Sequence, residues 1–337
     1  MSNQAAWLDG KDQKLRVDKA DFPKPDPEQV VIKNHAIAIN PVDWKIQDYG
    51  LFIQSWPTVL GTDVAGEIVE VGSNVTKFKK GDRVLAHVIS LATSRPQDGG
   101  FQLYTSAGSN FTAPIPSSLS YKEAAVLPLA INTAAHGLYD KREKGYLGLD
   151  YPSLSPKPSN KTILVWGGSS SVGAVAIQLA VASGAKVVTV ASKRNHSFVT
   201  SLGASEALDY NDPSIVEDAV KAIQSVGGEF QGIYDAIATD DSYKYVVPIA
   251  DKLKGTIATT LPPPENLPEG VKAGGVFAIT PDVVSPLWEN FVGQALEQGK
   301  LKAVPEPLVV GKGLESVQKG LDTNKAGVSA KKVVVEL

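Results

Sequence analysis

The chain reads as an α/β protein: a doubly wound parallel sheet accompanied by a compact, barrel-like β-domain. Three observations predict this. From Thr162 the sequence T-I-L-V-W-G-G-S-S-S-V-G runs from an apolar, β-rich segment through a glycine turn into helix-forming residues. That layout seats a pyrophosphate on backbone N–H groups at a helix N-terminus. Strand and helix patterns then alternate to about Thr280, as they do where crossover helices join parallel strands. Residues 1 to about 127 hold many short β-rich runs separated by turn residues, the texture of a small barrel.

In chain order, Val30–Ile32 and Ala36–Ile39 are predicted as short strands after the proline-rich run Phe22–Pro27. Val64–Val71 is a strand closed by Gly72-Ser73-Asn74. The turn Lys80-Gly81-Asp82 leads into Arg83–Val88, and Asp98-Gly99-Gly100 precedes a strand at Phe101–Thr105. Lys122–Tyr139 is helical in composition, with Pro128 as a break. Asp140–Lys161, with Pro152, Pro156 and Pro158, reads as a polar surface loop. The alternation then runs through Lys186–Ala191, Val216–Ser225, Gly232–Ala238, Val246–Leu253, Gly255–Thr260 and Val276–Ile279. The tail offers helices at Leu287–Gln298 and Leu314–Leu321 and a strand at Lys332–Leu337 that is free to return to the β-domain.

The 337 residues suffice for two domains, or for one inserted in another. A net charge of −3 gives no electrostatic footprint for nucleic acid or an anionic membrane. With no cysteine there is no disulfide, thiolate metal site or cysteine nucleophile. The N-terminus lacks the apolar core of a signal peptide, and the longest apolar stretch, Val172–Ala182, is too short to cross a bilayer. The expectation is a cytoplasmic protein acting on a small-molecule substrate, as a monomer or homodimer.

In the glycine loop, Gly167 and Gly168 break the strand, and Gly168 is expected to make the turn. Ser169, Ser170, Ser171 and Val172 follow, and Gly173 lets the helix pack close to the strand. Ser170 stands where a third glycine is usual, so the loop reads G-x-S-x-x-G. An NAD site usually places an acid about 20 residues further on, for the ribose 2′-hydroxyl. Here the next strand ends in Ser192-Lys193-Arg194, and no Asp or Glu occurs from Tyr151 to Ser205. These residues suit a 2′-phosphate, and the predicted cofactor is NADPH. A solvated basic turn is the competing reading of Lys193 and Arg194.

Six stretches, in order, are Asn40-Pro41-Val42-Asp43, Gly61-Thr62-Asp63-Val64-Ala65-Gly66, Lys80-Gly81-Asp82-Arg83-Val84, the loop Gly167–Gly173, Leu202-Gly203-Ala204 and Asp209-Tyr210. Together they resemble the medium-chain dehydrogenase/reductase superfamily across essentially the whole chain. The likeness is to its zinc-free branch of quinone oxidoreductases and, closer still, fungal trans-acting enoyl reductases. Asn40–Lys45 (N-P-V-D-W-K) and the serine-rich loop carry the closer likeness. The resemblance implies a GroES-like β-barrel catalytic domain from residues 1–127 and 281–337, with a Rossmann NADP(H)-binding domain, 128–280, inserted into it. It also implies an active site in the cleft between them. Where zinc-dependent relatives carry a cysteine and a histidine, this chain has Asn40 and Thr62. His35, His87, His136 and His196 are scattered without ligand spacing, so no metal is expected.

The chemistry this leaves is NADPH-dependent reduction of an activated C=C, in an enoyl thioester or an α,β-unsaturated ketone. The alternatives are a quinone oxidoreductase and a non-catalytic NADPH-binding protein. Asn40 is suited to donate a hydrogen bond near the nicotinamide or the oxyanion, although Asn before Pro also forms turns. By resemblance Lys45 holds an acidic group or donates a proton, and Thr133 contacts the carboxamide or the substrate. Tyr210 stands where the family places a tyrosine beside the adenosine phosphate. Tyr49 is a weaker proton-donor candidate, and Asp43 and Asp63, with no basic partner visible, are expected to shape the domain.

Overall fold

In the computed structural model, which describes residues 2–337, the apolar run before the glycine loop forms the strand Lys161–Trp166. It lies in the middle of a six-stranded parallel sheet. The strand order is Glu206–Leu208, Lys186–Val190, Lys161–Trp166, Glu229–Asp235, Thr256–Thr259 and Ala273–Gly275. In chain order that is 3-2-1-4-5-6, the doubly wound arrangement, and its switch point lies beside Lys161–Trp166. The helix Ser171–Ala182, apolar on every side, is buried from Gly173 to Ala180, as such a helix must be. Ile215–Val226 and Asp240–Leu253 are amphipathic and set Ala219, Ala222, Ile223, Val246 and Ile249 into the core beside Leu164, Val188 and Ile257.

The chain divides into two units, Met1–Leu129 with Leu296–Leu337, and Ala130–Ala295. The parallel sheet belongs to the second. In the first, a seven-stranded sheet runs Glu306–Lys312, Lys331–Glu336, Gln29–Ala38, Asp63–Val71, Arg83–His87 and Thr112–Pro114, with Tyr104–Gly108 also paired to Gln29–Ala38. A three-stranded sheet, Arg16–Ala20, Asn3–Leu8 and Thr58–Val59, completes the barrel-like domain. Its core is built from Ile32, Ile37, Ile39, Val64, Ile68, Val84, Phe101, Val333 and Val335.

Several elements differ from expectation. Gln29–Ala38 is one strand rather than two, with register shifts at Val31/Ile32 and Asn34/Ala36 that keep it paired through its polar middle. Asn34 is buried there because its Nδ2 donates to the Gln102 carbonyl at 2.8 Å and to Thr105 Oγ1 at 2.7 Å. The strand expected at Phe101–Thr105 falls at Tyr104–Gly108, and the last parallel strand at Ala273–Gly275 rather than Val276–Ile279. Pro128 does divide its segment, as expected, into two helices, Tyr121–Ala124 and Pro128–Tyr139, the first opened by a Ser120/Glu123 capping box. Leu287–Gln298 is likewise composite: Pro281–Leu287, a π-helical turn at Trp288–Val292, then Gly293–Glu297. Pro41–Tyr49 is a helix where only a turn was foreseen. The strand Lys331–Glu336 does return to the β-domain, antiparallel to Gln29–Ala38. Among the described residues no helix is long and apolar enough to cross a membrane.

Candidate functional site

The loop after Lys161–Trp166 turns at Gly167, whose φ of +78° suits glycine. The turn is therefore one residue earlier than the expected Gly168. Gly168 is needed for space: a Cβ there would lie 2.0 Å from Thr189 Oγ1 on the neighbouring strand. Gly173 does let the helix pack close, since a Cβ would meet the Gly167 carbonyl oxygen at 2.3 Å. Ser170 is the N-cap of Ser171–Ala182, its Oγ accepting from Gly173 N at 3.0 Å. Ser169 Oγ accepts from Asn195 Nδ2 at 3.1 Å, which ties this loop to the one after the second strand. Val172 lies half-buried on the first helical turn.

Two side-chain oxygens in this region are buried without a partner: Ser171 Oγ at the helix start and Ser192 Oγ at the end of Lys186–Val190. Unpaired buried hydroxyls are rare. Ser171 Oγ opens the helix after the glycine loop and Ser192 Oγ follows the next strand, positions whose free donors fit a dinucleotide. Lys193 and Arg194 follow Ser192 in an exposed turn, and Tyr210 is exposed just beyond Glu206–Leu208. Asp235, which sequence reasoning missed, closes the switch point. Its buried carboxylate accepts from Ile237 N and Ala238 N, both at 3.0 Å, and from Ser242 Oγ at 2.6 Å. Burial pushes its carboxyl above the usual range, against those hydrogen bonds. The loop it holds sets Ile237 against Gly167, where a Cβ would meet Ile237 Cγ1 at 2.6 Å.

Thr133 is half-buried on Pro128–Tyr139, and its carbonyl accepts from Tyr234 Oη at 2.7 Å. Asn132 and His136, one turn apart, hold the segment after Ala273–Gly275. Asn132 Nδ2 donates to the Ala278 carbonyl at 3.0 Å, while its Oδ1 accepts from Trp288 Nε1 at 2.6 Å. His136 Nδ1 lies 2.7 Å from the Phe277 carbonyl oxygen and 2.9 Å from Phe277 N, with Nε2 3.3 Å from Asp140 Oδ2. Phe277 is thereby presented with 57% of its surface exposed.

In the first unit, Asn40 caps Pro41–Tyr49, and its backbone N–H donates to Asp43 Oδ2 at 2.7 Å. Its side chain lies in a buried polar cluster. Asn40 Nδ2 donates to Thr62 Oγ1 at 3.1 Å and to Asp63 Oδ2 at 2.9 Å. Asn40 Oδ1 accepts from Lys332 Nζ, which also pairs with Asp63 Oδ2 at 3.0 Å. Asp63 Oδ1 accepts from Leu129 N at 2.6 Å. Lys332 is thus the basic partner that the sequence did not reveal for Asp63. Burial pushes the Asp43 carboxyl up to about 7 and the neighbouring His87 down to about 4. Lys45 is half-buried, its Nζ 5.7 Å from the Trp44 ring centroid, and Tyr49 is 59% exposed at the helix end. Among the described residues no three His, Cys, Asp or Glu side chains gather as a metal site.

Residues 26–128 match the alcohol dehydrogenase GroES-like domain, and 171–260 match the zinc-binding dehydrogenase domain. The chain belongs to the medium-chain dehydrogenase/reductase family, and is an oxidoreductase of a family that binds a nicotinamide cofactor. It is 45% identical to the dehydrogenase orsE of Emericella nidulans, over 100% of this chain and 99% of that one. It is 43% identical to the trans-enoyl reductase himH of Aspergillus japonicus, over 99% and 97% of the two chains. An alcohol dehydrogenase superfamily protein from Novosphingobium aromaticivorans shares the fold, with a TM-score of 0.80 at 24% identity over 99% of each chain.

Proposed function

We propose that this chain is an NADPH-dependent, metal-independent reductase of an activated C=C, in an enoyl thioester or a small α,β-unsaturated ketone. The observation that carries the cofactor assignment is Ser192, whose buried hydroxyl has no partner and is followed by Lys193-Arg194, with no acid from Tyr151 to Ser205. The acceptor class rests on the likeness to a trans-enoyl reductase. Metal independence is supported by the polar cluster, where Asn40 and Thr62 pack with an ammonium rather than forming a set of metal ligands.

A reduced nicotinamide, when bound, supplies hydride to the β-carbon; with one proton added at the α-carbon, the enoyl group becomes saturated and the cofactor leaves oxidised. In this reading the N–H groups opening Ser171–Ala182 hold the pyrophosphate, Ser171 adds a hydroxyl donor, and Ser192, Lys193 and Arg194 hold the 2′-phosphate. Tyr210 would stand beside the adenosine phosphate. Thr133 holds the carboxamide or the substrate and Lys45 serves the substrate side, while the sequence expectation that Asn40 itself donates there gives way to a supporting role, because both its Nδ2 protons go to Thr62 and Asp63.

The test is NADPH oxidation with a trans-2-enoyl thioester and with a simple 1,4-quinone, NADH being the control. NADPH-specific turnover of the thioester is expected. Turnover of the quinone alone would make the protein a quinone oxidoreductase. Tight NADPH binding without turnover of either would make it a binding protein.

A further inference from the structure

Thr62 is 4% exposed, and its Oγ accepts from Asn40 Nδ2 at 3.1 Å. Among the described residues its own proton meets no acceptor. Three comparably buried hydroxyls of the chain give theirs to a carbonyl: Ser90 to Val59 at 3.1 Å, Thr105 to Gly99 at 2.9 Å and Thr189 to Val165 at 2.9 Å. A buried donor left unspent is costly unless something arrives to accept from it.

The direction of that donor is enforced from behind. A carboxamide can be turned over, exchanging its oxygen and its NH2, and either end can meet a hydroxyl. An ammonium has three donors and no acceptor. Lys332 Nζ, itself 4% exposed, therefore dictates that Asn40 presents Oδ1 to it. Asp63 Oδ2 agrees, since it can only accept, and Asn40 Nδ2 donates to it at 2.9 Å. With Nδ2 turned to Thr62, the threonine oxygen must accept from Asn40, and its hydrogen must point elsewhere. Lys332, Asn40 and Thr62 thus form a one-way chain of donors ending in an O–H.

We propose that the Thr62 hydroxyl is a catalytic donor to the carbonyl oxygen of the conjugated acceptor, where charge gathers as hydride adds, and that Lys332 is the positioning residue that orients it through Asn40. The proposal rests on the reductase reading above.

The experiment is steady-state reduction of a trans-2-enoyl thioester by the wild type and by T62V, T62S, K332M, K332R and T62V/K332M, with NADPH binding followed by fluorescence. Loss of one oxyanion donor costs roughly 100-fold or more in kcat, and T62V is expected to show that loss with unchanged NADPH affinity. T62S should keep most of the rate. K332M should fall as far as T62V, K332R should recover part of the loss, and T62V/K332M should be no slower than T62V, because both act through one hydroxyl. Wild-type kcat in T62V would overturn the donor assignment, and multiplicative losses in T62V/K332M would overturn the positioning link. Should K332M not fold, with Asp63 left without its ammonium partner, K332R carries the positioning test: a rate between those of T62V and wild type, with the pH profile unchanged, is then expected, and a loss equal to that of T62V would overturn it. An inactive wild type would be a failure of the reductase reading itself, visible before any variant is made.

Discussion

Substituting Gly168 by alanine isolates a purely steric role. Its φ is not in the left-handed region, so alanine brings no backbone strain. The new Cβ would lie 2.0 Å from Thr189 Oγ1 and 3.0 Å from Ile177 Cδ1. Both neighbours are held, Thr189 by a 2.9 Å hydrogen bond to the Val165 carbonyl and Ile177 by complete burial. Forcing a methyl into a packed site costs about 1–3 kcal/mol. If Thr189 turns away, its hydroxyl loses its partner, for a further 1–3 kcal/mol or so. G168A should therefore lose about 1–3 kcal/mol in denaturant unfolding, or about 2–6 kcal/mol if Thr189 turns away, together with cofactor affinity, because the loop is displaced. T189A takes away the offending oxygen and leaves the residue 189 Cβ at 3.2 Å, a tight contact that needs only a small shift to relieve. In the double-mutant cycle, G168A should be far less damaging in the T189A background, while T189V, which keeps an atom in that place, should give no relief. Additive losses of G168A and T189A would refute the argument.

K193E should weaken NADPH by about tenfold or more at low salt and barely change NADH, since only the former carries the 2′-phosphate; equal weakening in fluorescence titrations would refute the 2′-phosphate assignment. Asp43 titrates near 7 in the folded state, above its unfolded value, so the folded protein keeps a proton that the unfolded chain releases. Its contribution makes stability fall as pH rises from about 4 to 7, while His87, depressed to about 4, makes stability rise from about 4 to 6.5. Unfolding curves of D43N should therefore gain on those of the wild type as pH rises through that window, and parallel pH profiles would refute this. N132A leaves the buried Trp288 Nε1 without its 2.6 Å acceptor and should cost about 1–3 kcal/mol of unfolding free energy; no change would show that the indole finds another partner.

The glycine loop was legible because its chemistry is local. Ser170 caps three residues ahead, and the strand before the loop and the helix after it are apolar enough to be recognised without their neighbours. Even there the turn moved by one residue, from Gly168 to Gly167, because the contact that forbids a side chain at Gly168 comes from Thr189 on another strand. The strand Glu306–Lys312 was hidden by Pro305, Pro307 and Gly311; a parallel partner, Lys331–Glu336, holds it in place. Asn34 looked like a break between two strands until Gln102 and Thr105 supplied acceptors for it. Asp63 appeared to have no basic partner because Lys332 lies beyond the entire second unit in the chain. What escaped the sequence was, each time, a residue or strand whose partner comes from another segment of the chain.

The strand Lys331–Glu336 lies between Gln29–Ala38 and Glu306–Lys312 in the larger sheet. Ala130–Ala295 is synthesised before either of the C-terminal strands, and domains generally fold as units during synthesis. The segments of the parallel-sheet unit are therefore all made while the β-domain still lacks two neighbouring strands and the ammonium of Lys332 that pairs with Asp63. The nascent β-domain waits with the Ala36–Ala38 part of one strand edge unpaired, Gln29–Lys33 being already covered by Tyr104–Gly108, until the segment that carries Lys332 is made. A nascent chain stalled before that residue should hold a protease-resistant second unit and a protease-sensitive first one.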